Sequence, residues 1–199
     1  SRSEETQSRR RIELTQADLR MVAGFAASCA RPALAIFEDE VPGDGRPRAA
    51  LDAAHAFAEG SDRTKALRDR AWDAQRAANQ ARDSGQAAAA EAARAALAAA
   101  AAAFLHPMPK ATQVKHILGA AAHTARAFEI SAGDDPAAGL HGITCARALA
   151  PPRLADVLER HPPAPSGGGR VRELMRMLDT SLRRPQTQQV LAPPRQPSR

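Results

Sequence analysis

The sequence predicts an all-α, single-domain, alanine-rich multi-helix bundle, and three observations carry that prediction. From Ala87 to Phe104 the chain is alanine broken only by Glu91, Arg94 and Leu97 before Phe104, and alanine, which gives up no side-chain entropy, is the best helix former. Elsewhere apolar residues recur at three- and four-residue spacing, with no alternating strand pattern of useful length. At 199 residues the chain has the length for one domain with a real core.

The elements follow in order. Thr15 and Asp18 have the spacing of a capping box that opens a helix to about Ala30, and Pro32 restarts or kinks it into residues 33–40. The PGDG turn at 42–45 comes next, with Pro47 in the first turn of a helix that ends at Gly60. Ser61 and Asp62 are candidate caps for a helix over 63–84, whose apolar face is Leu67, Ala71, Ala74, Ala78 and Ala81. After Gly85 the alanine helix runs to Leu105. The HPMP turn at 106–109 breaks the pattern before a helix over 110–131, with the stripe Val114, Ile117, Leu118, Ala121, Ala125 and Phe128. Gly133 closes it. Shorter helices over 136–150 and 152–160 follow, and SGGG at 166–169 leads into a last helix over 170–183 with Val171, Leu174, Met175, Leu178 and Leu182 on its apolar face. Short connections favour antiparallel neighbours. Residues 1–12 are read as a disordered arm, 13–184 as the helical domain and 185–199 as a disordered Pro/Gln-rich tail.

The net charge of +6 points first to nucleic acid or a membrane surface. Residues 1–11 account for +2 of it and residues 183–199 for +4, which leaves the middle neutral. Nucleic-acid binding is therefore ranked last. Aromatic residues are only 3% of the chain, with a single Trp and no Tyr, so burial has to come from many small aliphatic contacts. Cys29 and Cys145 have no ligand spacing around them and read as reduced core residues of a cytoplasmic protein. Neither an apolar run of membrane-spanning length nor a signal core is read, and no metal or cofactor is implied.

Three constellations carry what chemistry there is. His116 and His123, seven residues apart, project from the 110–131 helix opposite its Val114 and Phe128 side, beside small Gly119 and Ala120. With His106, and with His55 as a further candidate, they define a ligand pocket between helices; their two-turn spacing is too long for a local chelate. Arg68, Trp72 and Arg76 follow each other at four-residue intervals off the apolar face and form a candidate partner-binding surface, since Trp and Arg concentrate binding energy. Arg48, Asp52, His55 and Glu59 share a helical face and read as a charged surface row. Asp52 and His55 have the spacing to orient one another as a general base, but no nucleophile accompanies them. The GxSxG, HExxH, P-loop and Rossmann signatures are absent, so a non-enzymatic protein is favoured.

Three stretches, 31–60 (RPALAIFEDEVPGDGRPRAALDAAHAFAEG), 64–96 and 106–136 (HPMPKATQVKHILGAAAHTARAFEISAGDDP), make the wording of the chain more specific than its statistics. They resemble the immunity-protein-5-like domain family, an all-helical group of actinobacterial proteins associated with polymorphic toxin systems, over roughly residues 12–184. The resemblance implies a cytoplasmic protein that protects its producer by binding and neutralising a cognate toxin, and it supplies no catalytic residues. The alternative is a small-molecule-binding protein or an enzyme of a biosynthetic or resistance pathway, using the His-lined pocket. No strongly acidic run matches what a basic nuclease toxin would need.

Overall fold

The computed structural model describes residues 11–184, so the predicted tail and all of the predicted arm except residues 11 and 12 lie outside the described residues. Within them the protein is helical and strand-free. The helices are α1 (Gln16–Glu40), α2 (Arg46–Ala58), α3 (Lys65–Asp83), α4 (Ala87–Ala102), α5 (Val114–Ser131), α6 (Pro136–Leu149), α7 (Arg153–Glu159) and α8 (Arg170–Arg183), with a single 3-10 turn, Ala111–Gln113, ahead of α5.

Local signals set most of the boundaries. The Thr15 side chain accepts from the Asp18 N–H at 3.0 Å and Asp18 accepts in return from the Thr15 N–H at 3.1 Å, which starts α1 with two of its orphan donors satisfied. Pro32 neither stops nor restarts α1, which runs on to Glu40 because its neighbours Ala30, Ala33 and Leu34 are all buried and tertiary packing holds the turn. The cap of α3 is Thr64 rather than Ser61 or Asp62, with no side-chain bond to the helix N–H groups. The alanine helix stops three residues early, at Ala102, and α5 begins at Val114 rather than 110 because the 3-10 turn intervenes. Gly133 closes α5 in the left-handed region at φ 75°.

The alanine helix α4 sits at the centre, in contact with α1, α2, α3 and α5. Ten of its alanines are buried, and a Cβ added at Gly119 on α5 would lie only 3.6 Å from the Cβ of Ala98. Small side chains are what let these two helices approach. The five apolar positions named for α3 are all buried; in the α5 stripe all but the half-buried Phe128 are. In α8, Leu174, Met175 and Leu178 are buried while Val171 and Leu182 pack at the margin.

Helix α1 has the length and apolar composition to cross a membrane, which the sequence reading missed, yet over half of that window is buried inside the bundle. The cysteines also differ from expectation: Cys29 is buried, its thiol pushed up to about 12 by burial, whereas Cys145 lies exposed on the outer side of α6. Ile12 anchors the start of the described chain, its N–H donating to Pro107 O at 3.2 Å.

Helices α6, α7 and α8 form a cap on this core, and three buried carboxylates hold it. Asp18 accepts from Arg153 at 2.9 Å and Arg160 at 2.8 Å. Glu129 accepts a two-pronged contact from Arg170, at 2.9 and 2.5 Å, and another from Arg126 at 2.9 Å. Asp179 accepts from Arg183 at 2.7 Å and from the Ala164 N–H at 2.8 Å. Burial works to raise the Asp18 and Glu129 carboxyls, but Arg160 and the Thr15 hydrogen bonds at Asp18, and Arg170 and Arg126 at Glu129, outweigh it and hold both below the usual range.

Candidate functional site

The candidate site is a groove along α3, α4 and the start of α5. A cleft of about 750 Å³ opens between Trp72 and Gln75 of α3, Leu97 and Ala101 of α4, and Lys115 and His116 of α5. A second cleft of about 280 Å³ shares Gln75, Leu97, Ala101, Lys115 and His116 with it and extends to Gly119 and His123. Small residues on α4 and α5 make this hollow: a larger side chain at Ala98, Ala101 or Gly119 would fill it.

At its open end Trp72 is 58% exposed, the largest exposed hydrophobic side chain of the described residues. Arg68 does not pack on it. The Arg68 guanidinium lies over Phe104, 4.7 Å from the ring centroid, and Arg63 lies over the same ring at 5.5 Å while donating to Ala103 O at 3.0 Å. Phe104, just past the end of α4, was absent from the sequence-derived surface; the ring that collects the cations lies some 40 positions along the chain from Arg63 and Arg68. Arg76 turns to Asp73, which it contacts closely, and Arg70 reaches the same carboxylate at 3.6 Å.

The histidines separate into two groups. His106, His116 and His123 all border the groove, and His116 belongs to both clefts. His106 is set by the HPMP turn, whose backbone N–H donates to the buried Gln113 side chain at 3.2 Å. Burial, with the charges of Lys115 and His106, pushes His116 down to about 4, so it is neutral at pH 7. His55 is elsewhere, exposed on α2 and 3.3 Å from Glu59. Asp52 is turned to Arg31 at 3.6 Å and Arg48 to Glu38 at 2.7 Å, so the Asp52–His55 pair does not form.

The tightest polar contact in the groove was not visible as a pair in the sequence. His123 Nδ1 lies 2.6 Å from Glu91 Oε2, and the other oxygen of Glu91 takes a hydrogen bond from Arg94 at 2.6 Å. Burial works to raise the Glu91 carboxyl, but its bond to His123 and the charges of His123 and Arg94 hold it below the usual range. A carboxylate on Nδ1 fixes the ring and leaves Nε2 to act as the acceptor when the imidazole is neutral. Chemically this is an oriented base or hydrogen-bonding group. No Ser, Cys or Thr borders either cleft to serve as its nucleophile. Among the described residues no three His, Cys, Asp or Glu side chains gather as metal ligands would.

Residues 13–141 match the family model described as Imm-5 like putative immunity protein. The chain belongs to that family. The matched span holds α1 to α5 and the first part of α6, and with them every residue bordering the Trp72–His123 groove except Met175; it stops short of the 184 at which the sequence resemblance was drawn, leaving α7 and α8 beyond it. Neither the curated proteins nor the solved structures contain a match to this chain.

Proposed function

We propose that this immunity-family protein acts inside the producing cell by binding a cognate protein toxin and covering the surface the toxin needs. The observation that carries the reading is the exposed Trp72 at the mouth of an open groove whose border, apart from Met175, lies within the span that matches the immunity family. A half-bare Trp that shares its groove with Arg63 and Arg68 is the composition of an interface hot spot. Blocking requires no bond to be made or broken, which suits a groove that holds an oriented histidine but no nucleophile. Co-expression with candidate toxins encoded by neighbouring genes tests it. Protection and a stable complex are expected, with Trp72→Ala weakening the complex by about 2 kcal/mol or more, roughly thirtyfold. Failure to protect against, or bind, any neighbouring gene product would sink the reading.

The Glu91–His123 contact favours a second reading, a small-molecule site in the inner cleft, where His123 Nε2 and neutral His116 would hydrogen-bond a ligand. His123→Ala separates the two. Under the protein-binding reading the folded variant still protects; loss of ligand binding or of turnover by a folded variant would favour the small molecule.

A further inference from the structure

Charge pairing on this protein is uneven in a way that bears on what the groove receives. Along α3 and its flanks, Lys65 pairs with Asp69 at 2.9 Å, Arg70 and Arg76 share Asp73, and Arg82 reaches Asp83 at 3.0 Å. The cations of the groove differ. Arg63, Arg68 and Lys115 have no carboxylate partner among the described residues, and no Asp or Glu borders either cleft. Glu91, the nearest acid, sits behind His123 and is already engaged by it and by Arg94. Other described cations, Arg20 and Arg176 among them, also lack a carboxylate partner; what sets the groove apart is that its unpaired cations lie beside the one exposed indole with no acid on the border.

The shape of the groove narrows the occupant further. The two clefts share five bordering residues, and a third, smaller hollow of about 80 Å³ shares Lys115 and Met175 with the inner one and continues to Arg172 on α8. Together they make a trough bordered by α3, α4, α5 and α8, again without an acid on its border. A row of cations with one aromatic at its end matches a chain segment that alternates carboxylates with an apolar anchor.

Resting on the immunity reading, we propose that the trough receives an acidic segment of the partner protein, with its carboxylates against Arg68 and Lys115 and one large apolar side chain laid on Trp72. Arg63 and Arg68, already braced by Phe104, lose little freedom when they engage. Such contacts speed encounter and select the partner by charge, so binding weakens as salt is raised.

Trp72 is the sole tryptophan of the full chain and reports directly. The experiment titrates the whole protein with synthetic peptides of about twelve residues, sharing Phe and Leu at every fourth position and otherwise built of Asp and Glu, of Lys, or of Ser and Gln. The acidic peptide is expected to shift Trp72 emission saturably, to bind about tenfold more weakly to R68E/K115E, and to lose affinity as salt rises. R68Q/K115Q, which introduces no new charge, should fall between, and circular dichroism verifies that both variants are folded. Equal binding of the Lys peptide, no emission change, or full affinity in folded R68E/K115E would overturn the proposal. Inorganic phosphate that competes as strongly as the peptide would also overturn it, in favour of a small-anion site. Protection assays keep the two ideas apart. If wild type and folded R68E/K115E protect equally against a neighbouring toxin, immunity stands and the acidic segment falls; if the peptide binds as described but no neighbour is neutralised, the reverse holds.

Discussion

The alanine-dense core of α1 to α5 and the cap of α6 to α8 are held by different physics. In the core, helices meet through small side chains at close approach, as where Gly119 faces Ala98, and the energy lies in apolar area and dispersion. The cap adds the apolar anchors Leu154, Leu158, Leu174 and Leu178, but its orientation on the core is fixed by Asp18 and Glu129 reaching arginines, while Asp179 ties α8 to the loop before it. Two of these ties cross the boundary: Arg153 and Arg160 come from beyond the family-matched span to Asp18 inside it, and Arg170 does the same to Glu129. The core is therefore vulnerable to changes of volume, the cap to changes of charge. The groove lies mostly on the volume-limited side.

Leu118→Asp should have the largest effect. The side chain is fully buried with Val114, Ala121 and Ala125 around it, and an unpaired carboxylate there costs on the order of 4 kcal/mol or more, enough to unfold the protein in a circular-dichroism melt. Next comes Glu129→Ala, which leaves the Arg170 and Arg126 guanidinium groups without their buried acceptor. A loss of about 3 kcal/mol is expected, toward the low end for a broken buried pair because both arginines still reach water. Gly139→Ala should loosen the same tie, since a Cβ there would stand 2.0 Å from Glu129 Oε1. Hydrogen exchange or limited proteolysis should find α8 released before α4 in both variants; release of the two together would show that cap and core are a single cooperative unit.

The core was the more legible region because its signals are local. Alanine density, the Thr15–Asp18 box and the three-to-four spacing of Leu67, Ala71 and Ala74 all act within a turn or two, and each appears in the helices as read. The ties of the cap join residues 135 and 142 positions apart for Asp18 and 41 apart for Glu129, and nothing in a single sequence pairs them. Glu129 is buried because α6 closes over that side of α5 where Gly139 leaves room, which no pattern on α5 alone reveals. The groove was half legible. His116 and His123 share a face two turns apart, but Glu91 and Phe104, which give that face and its arginines their structure, come from α4 and its end. Cys145 misled for the opposite reason: its residue type is usually buried, and α6 keeps one side in water.

Ala96→Leu sharpens the contrast from the core side. The position is fully buried on α4, and three added carbons force neighbouring helices apart at a cost of about 1–3 kcal/mol, with melting lowered equally at low and high salt. Acid does the converse. Asp18 and Glu129 lie below their ordinary values in the fold, against about 3.9 and 4.3 unfolded, so their contribution is complete above about pH 5 and is lost as pH falls through the folded values. Exchange in α7 and α8 should therefore rise at acid pH before exchange in α4. A cap that stays protected to the point of global acid unfolding would show that its leucines, not its carboxylates, hold it.

The smallest expected effect uses a histidine on each side. Burial depresses His116, at the groove, to about 4, and burial also depresses His161, in the cap, though its bond to Val157 O works the other way. Both are neutral in the folded protein, while the unfolded chain takes up protons near about 6.5. Their contributions are thus full above that value and shrink as pH falls below it, the same sign as the carboxylates but beginning earlier. His116→Gln should flatten the stability profile between about pH 6.5 and 4 by no more than about 1 kcal/mol at pH 5, because the ring is partly open to the groove and solvent screens it. A partner segment seated over His116 would change that same limb in the wild type alone, burial steepening it and carboxylates near Lys115 flattening it. Denaturant titrations of wild type and His116→Gln at pH 7 and pH 5, each with and without the acidic peptide, measure that difference, and identical profiles in all cases would place the occupied part of the groove away from His116.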